Sequence, residues 1–160
     1  MKNIYSACLA TLKNLKKDGR LGAVQTVSVT VNGKAQNARR DIAALISFVE
    51  AVPTDIRYVV SAKPYAHGSL TIFFENEVLA RYMITDSPAA QKTDWHVYSD
   101  KTELYSRAEE GIAKIIPADL FPNTETVEFA PSDELHVCEL PAEAEKFCRE
   151  LCGYSPVNRR

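Results

Sequence analysis

The sequence predicts an α+β fold: an antiparallel or mixed central sheet of about five to seven strands, with about four helices packed mainly on one side. Three observations predict it. Runs rich in β-branched and aromatic residues crowd the middle of the chain, as Val24–Val31, Ile56–Ala62, Leu70–Glu75 and Val78–Thr85. Stretches with apolar residues three and four apart lie mostly toward the ends. The two kinds of segment are clustered rather than strictly alternating, which speaks against a doubly wound parallel sheet.

The first helix is expected from Asn3 to Lys17. Ile4, Cys8, Leu12 and Leu15 share a stripe, and Lys13, Lys16 and Lys17 gather where positive charge suits the helix dipole. Asp18, Gly19 and Gly22 break it, and the strand Val24–Val31 follows, ending at the turn pair Asn32-Gly33. A second helix starts with Asn37 as N-cap. Ile42, Leu45, Ile46 and Val49 form its core stripe, and Pro53 closes it. Ile56–Ala62 is the next strand. Leu70–Glu75 and Val78–Thr85 make a hairpin across Asn76, a residue that tolerates positive φ. In its second arm Val78, Ala80, Tyr82 and Ile84 share one face.

After the polar loop from Asp86 to Thr93 comes a strand at Trp95–Ser99. Asp100-Lys101-Thr102-Glu103 has capping-box spacing and opens an expected third helix. Its face would be Leu104, Tyr105, Ala108, Ile112 and Ile115, with Pro117 as the stop. Short strands are expected at Val127–Phe129 and Leu135–Leu140. A fourth helix runs from Pro141 to Cys152, with proline just inside its start and Gly153 just past its end. Residues 1–156 read as one domain, with a frayed tail at 157–160.

A hydrophobic fraction of 46% and a charged fraction of 25% are those of a globular protein. The net charge of −2 does not supply the basic surface that general nucleic-acid binding needs. The N-terminus lacks the apolar run of a secretory signal, and no window has the apolar length to span a bilayer. The expected location is the cytoplasm, with Cys8, Cys138, Cys148 and Cys152 reduced or metal-bound rather than paired as disulfides.

Several familiar signatures are absent: the phosphate loop, G-x-G-x-x-G, H-E-x-x-H, C-x-x-C and G-x-S-x-G. Two constellations remain. His136 and Cys138 stand two apart, on one face of a strand, and Cys148 and Cys152 stand four apart, on one face of a helix. Together they make a ligand set that suits a structural zinc ion, while the alternative is two buried core cysteines and a half-buried histidine. The basic residues Lys13, Lys16, Lys17 and Arg20, joined by Arg39 and Arg40, read as a solvated helix face or a small anion patch.

His67-Gly68-Ser69-Leu70 resembles one half of the H-x-[S/T]-hydrophobic signature of the two-histidine phosphoesterases. The second half would be His136-Val137-Cys138-Glu139, where Cys138 replaces the hydroxyl residue and Glu139 the apolar one. The resemblance implies His67, Ser69 and His136 as catalytic residues of a small hydrolase. Weighed together, the absent catalytic motifs and modest charge predict a non-catalytic binding or regulatory protein of inhibitor or accessory type. It would work through another protein, without a cofactor or a membrane. The hydrolase and the zinc-stabilised domain are the alternatives.

Overall fold

The computed structural model describes residues 3–119, 123–132 and 138–154. They form a mixed α+β fold. Helix α1 (Ile4–Lys17) precedes strand β1 (Val24–Asn32), and helix α2 (Ala38–Val49) follows it. Then come β2 (Pro53–Ser61), β3 (His67–Phe74), β4 (Leu79–Thr85), β5 (Lys92–Ser99), β6 (Thr102–Arg107), β7 (Ile112–Pro117) and β8 (Glu125–Glu128). Helix α3 (Ala142–Gly153) closes the described chain.

The eight strands make one sheet in the order β2-β3-β4-β1-β5-β6-β7-β8. Helix α2 carries the chain from the centre of the sheet to its edge, and the β2-β3-β4 meander brings it back beside β1. That return makes β1 and β4 the parallel pair, whereas the other pairs are antiparallel. One face is fully packed. Val27, Val29, Leu70, Ile72, Ala80, Tyr82, Ile84, Val97 and Leu104 are buried there beneath the helices. Alternation puts Ser28, Thr30, Thr71, Phe73, Leu79, Arg81, His96, Tyr98 and Tyr105 on the opposite face, which no described helix covers.

Helix α1 starts as expected, with Asn3 Oδ1 accepting the Tyr5 N–H at 2.9 Å. Its Lys16 ammonium donates to the carbonyls of Phe48 and Val49, at 2.6 and 3.0 Å, and so caps the C-terminus of α2. Asn37 does stand at the N-cap of α2, but its side chain makes no capping bond. Helix α3 lies against β2 and β3, where Phe147 meets Tyr58 and Tyr82 edge-on. Gly68 of β3 makes room for it, since a Cβ there would stand 2.8 Å from Phe147 Cε1 and 2.9 Å from the Val59 carbonyl.

Three expectations are corrected. The predicted third helix is instead the hairpin β6–β7, so the described residues hold three α-helices rather than four and eight strands rather than five to seven. Leu104 and Ser106, then Ala113 and Ile115, are buried in two-residue alternation, and Gly111 turns the chain at φ 72°. Asp100 does not cap a helix; its Oδ1 accepts the Ala23 N–H at 2.7 Å. At the β3–β4 turn Glu77 takes the positive φ, 68°, while Asn76 Oδ1 accepts the Val78 N–H. The expected strand Leu135–Leu140 falls largely outside the described residues, and Cys138–Leu140 is not strand.

Candidate functional site

A cleft of about 330 Å³ opens between the first turns of α1 and α2, the sheet and the approach to α3. Its apolar wall includes Leu9, Val29, Ala43, Ala44, Trp95 and Leu140, and its polar lining includes Tyr5, Arg39, Arg40, Asp41, Thr93 and Glu145. A mostly apolar concavity with a few convergent polar groups is the usual form of a small-molecule site.

Asp41 is the anchor of this polar set. It is only 5% exposed, because it lies on the same helical stripe as Ile42 and Leu45. A buried carboxylate must be paired or lose its charge. Tyr82 Oη donates to Asp41 Oδ2 at 2.8 Å, and Arg40 Nε and Nη2 donate to Oδ1 at 3.3 and 3.2 Å. Burial still pushes the Asp41 carboxyl above its usual range, partly offset by Arg40 and Tyr82. The Tyr82 phenol, buried and facing that carboxylate, is pushed strongly upward.

The Arg40 guanidinium lies over the Tyr5 ring, 4.0 Å from its centroid. Tyr5 itself is pushed up to about 12, first by burial and then by the neighbouring Glu109 carboxylate, so it remains a neutral phenol. Glu109 Oε1 accepts the Thr93 N–H at 2.6 Å, and its Oε2 is buried without a hydrogen-bond partner among the described residues. On the opposite wall Arg39 pairs with Glu145 of α3 at 2.8 Å. Trp95 meets Phe48 edge-on, and Cys8 Sγ stands 4.0 Å from Ser106 Oγ.

The residues singled out from the sequence are scattered. Cys138 lines the cleft, its thiol donating to the Ala43 carbonyl at 3.7 Å. Cys148 and Cys152 instead border a shallow depression with Gln36 and Arg39. No group of three or more His, Cys, Asp or Glu side chains could hold a metal among the described residues, and His136 lies outside them. His67 begins β3 beyond the cleft, its Nδ1 bonded to the Tyr65 carbonyl at 2.8 Å. Ser69 sits in mid-strand opposite Val59 and Met83. Of the basic cluster, Arg39 and Arg40 enter the cleft, Lys16 caps α2, and Arg20 pairs with Glu125.

No protein-family model matches the chain, and no curated protein matches it by sequence. Solved structures do share its fold. Levoglucosan dehydrogenase in complex with NADH is similar at 11% identity and a TM-score of 0.66, over 94% of this chain and 54% of the dehydrogenase. UDP-N-acetylglucosamine 3-dehydrogenase GnnA from Acidithiobacillus ferrooxidans is similar at 16% identity and a TM-score of 0.64, over 91% of this chain and 50% of that one. A super-repressor mutant of Gal80p from Saccharomyces cerevisiae shares the fold at 11% identity and a TM-score of 0.65, over 88% and 46%. The chain thus spans about half the length of the structures it matches.

Several of these similar structures are dehydrogenases or other oxidoreductases, one of them in complex with NADH. The finding overturns the reading as a non-catalytic inhibitor or accessory protein. It also overturns the hydrolase and zinc-stabilised alternatives, and the expectation of no cofactor or only a structural zinc. The described residues themselves do not fit a dinucleotide. The chain has no G-x-G-x-x-G, and the one parallel pair, β1 and β4, is not joined by a single crossover helix. After β1 the turn has only Gly33, against which the amide end of the Gln91 side chain packs. Among the described residues no helix is long and apolar enough to cross a membrane.

Proposed function

We propose that these residues form the substrate-side half of an NAD-dependent dehydrogenase, and that the cleft around Tyr5, Arg40, Asp41 and Trp95 is its substrate site. One observation carries the reading. Nearly all of this chain matches about half of each of several oxidoreductases, yet it lacks the features with which a protein grips a dinucleotide. The matched half is then the one that does not hold the nucleotide. The nucleotide-binding unit lies outside these 160 residues, in the same polypeptide or in a partner.

In this role the cleft orients a small alcohol or carbonyl substrate. Arg40, fixed by Asp41 and Tyr5, supplies donors; Trp95, Leu9 and Val29 supply an apolar wall that keeps water away. The test is substrate-dependent NADH formation by the native assembly, compared with an Ala44→Trp variant that fills the cleft. Loss of turnover with retained NADH binding is expected. Unchanged turnover in the filled variant would remove the cleft from the reaction.

The uncovered face of the sheet is the second proposed contact surface, and its occupant is another protein chain. Val59, Phe73, Leu79 and Tyr98 are exposed large hydrophobic residues on that face, with Val59 at 72%. Apolar groups displayed together on an uncovered sheet commonly mark an interaction site.

A further inference from the structure

Building on the assignment of the cleft as the substrate site, we infer that its ligand is a small hydroxy or oxo acid, its carboxylate held by Arg40 and its apolar body lying on Leu9, Val29, Ala43 and Trp95.

The guanidinium of Arg40 carries five N–H donors. Two of them, one on Nε and one on Nη2, go to Asp41 Oδ1. Both Nη1 hydrogens and the second Nη2 hydrogen have no partner among the described residues. The group is also held still. Asp41 is fixed by Tyr82 from within the core, and Tyr5 lies under the guanidinium plane. A planar donor fork, oriented before the ligand arrives, matches the two oxygens of a carboxylate and loses little freedom on binding it.

The charge pattern agrees with this choice. Asp41 already accepts three hydrogen bonds, and Glu145 is paired with Arg39. Among the described residues the lining therefore balances at two guanidinium groups against two carboxylates, with unclaimed capacity on the Arg40 side. Glu109, beside Tyr5, adds negative charge behind this set, so a cation is the natural rival ligand. The rest of the wall is hydrocarbon and indole, and the volume of about 330 Å³ suits a compact branched or ring-shaped acid.

Calorimetric titration of the purified chain with isovalerate, isovaleramide and isopentylamine separates these chemistries at nearly constant shape. Isovalerate is expected to bind at least about tenfold tighter than the amide, the order of a charge-assisted hydrogen bond. Arg40→Gln should erase that difference, while Lys17→Gln on the outer face of α1 should keep it. Equal binding of acid and amide by the wild-type chain would overturn the proposal, whatever the fate of the variants. So would preference for the amine, or no saturable binding of any of the three. Such a failure, in an assembly that still carries NAD(H) and still turns over, would remove the ligand class and leave the dehydrogenase reading standing.

Discussion

Asp41 is the residue on which the cleft depends. Its side chain occupies a position that the apolar stripe of α2 would otherwise give to a hydrocarbon, and its oxygens are taken by Arg40 and Tyr82. Tyr82→Phe removes one buried hydrogen bond and should cost about 1–2 kcal/mol in chemical denaturation. The pH dependence has a definite sign. Because the folded protein holds the Asp41 proton more tightly than the unfolded chain, this group favours the fold most in acid. That contribution is lost as pH rises from the ordinary carboxylate range through the elevated folded value. Asp41→Asn should therefore flatten that part of the stability–pH curve, and an unchanged curve would show that Asp41 does not titrate there. The thiols offer a second check. Burial pushes Cys8 and Cys148 up to about 12, so both should resist alkylation in the native protein at neutral pH. The half-buried Cys138 and Cys152 should react first in a mass-spectrometric time course.

At the scale of elements, packing decided what local pattern left open. The stripe of α2 was legible because Ile42, Leu45 and Val49 all reach the core, and β4 was legible because Val78, Ala80, Tyr82 and Ile84 alternate inward. The stretch from Asp100 to Pro117 was misread for a physical reason. Leu104, Ala108, Ile112 and Ile115 satisfy a helical period, yet Leu104, Ser106, Ala113 and Ile115 equally satisfy a strand period. Gly111 and the β-branched Ile112, Ile115 and Ile116 tip the balance toward a hairpin. The cleft was harder to see. Arg39 and Arg40 looked like surface charge, and only the tertiary approach of Tyr5 and Tyr82 makes them part of a site. The one local signal was an acid, Asp41, standing in an apolar stripe. The seat of α3 can be tested through Gly68. Gly68→Ala would press a methyl group on Phe147 and the Val59 carbonyl, and should destabilise by about 1–3 kcal/mol in denaturant melts. A neutral result would mean that α3 shifts freely over β2 and β3.

The described residues form a sheet with helices on one face and no helix among them on the other, and two consequences follow. The uncovered face should matter to assembly. A Leu79→Asp, Tyr98→Asp double variant is expected to lower the mass of the native assembly in sedimentation without unfolding the chain, since both side chains are exposed. The second consequence concerns the nucleotide. A chain that lacks a glycine-rich crossover cannot cradle a pyrophosphate in the way dinucleotide-binding sheets do, however closely the rest of it resembles dehydrogenases. The most direct measurement is therefore the nucleotide content of the assembly purified from its native source, set beside that of the isolated 160-residue chain. The expected result is stoichiometric NAD(H) released from the assembly and none retained by the isolated chain. Tight NADH binding by the isolated chain, or a native assembly devoid of nucleotide, would contradict its place as the substrate-side half of a dehydrogenase.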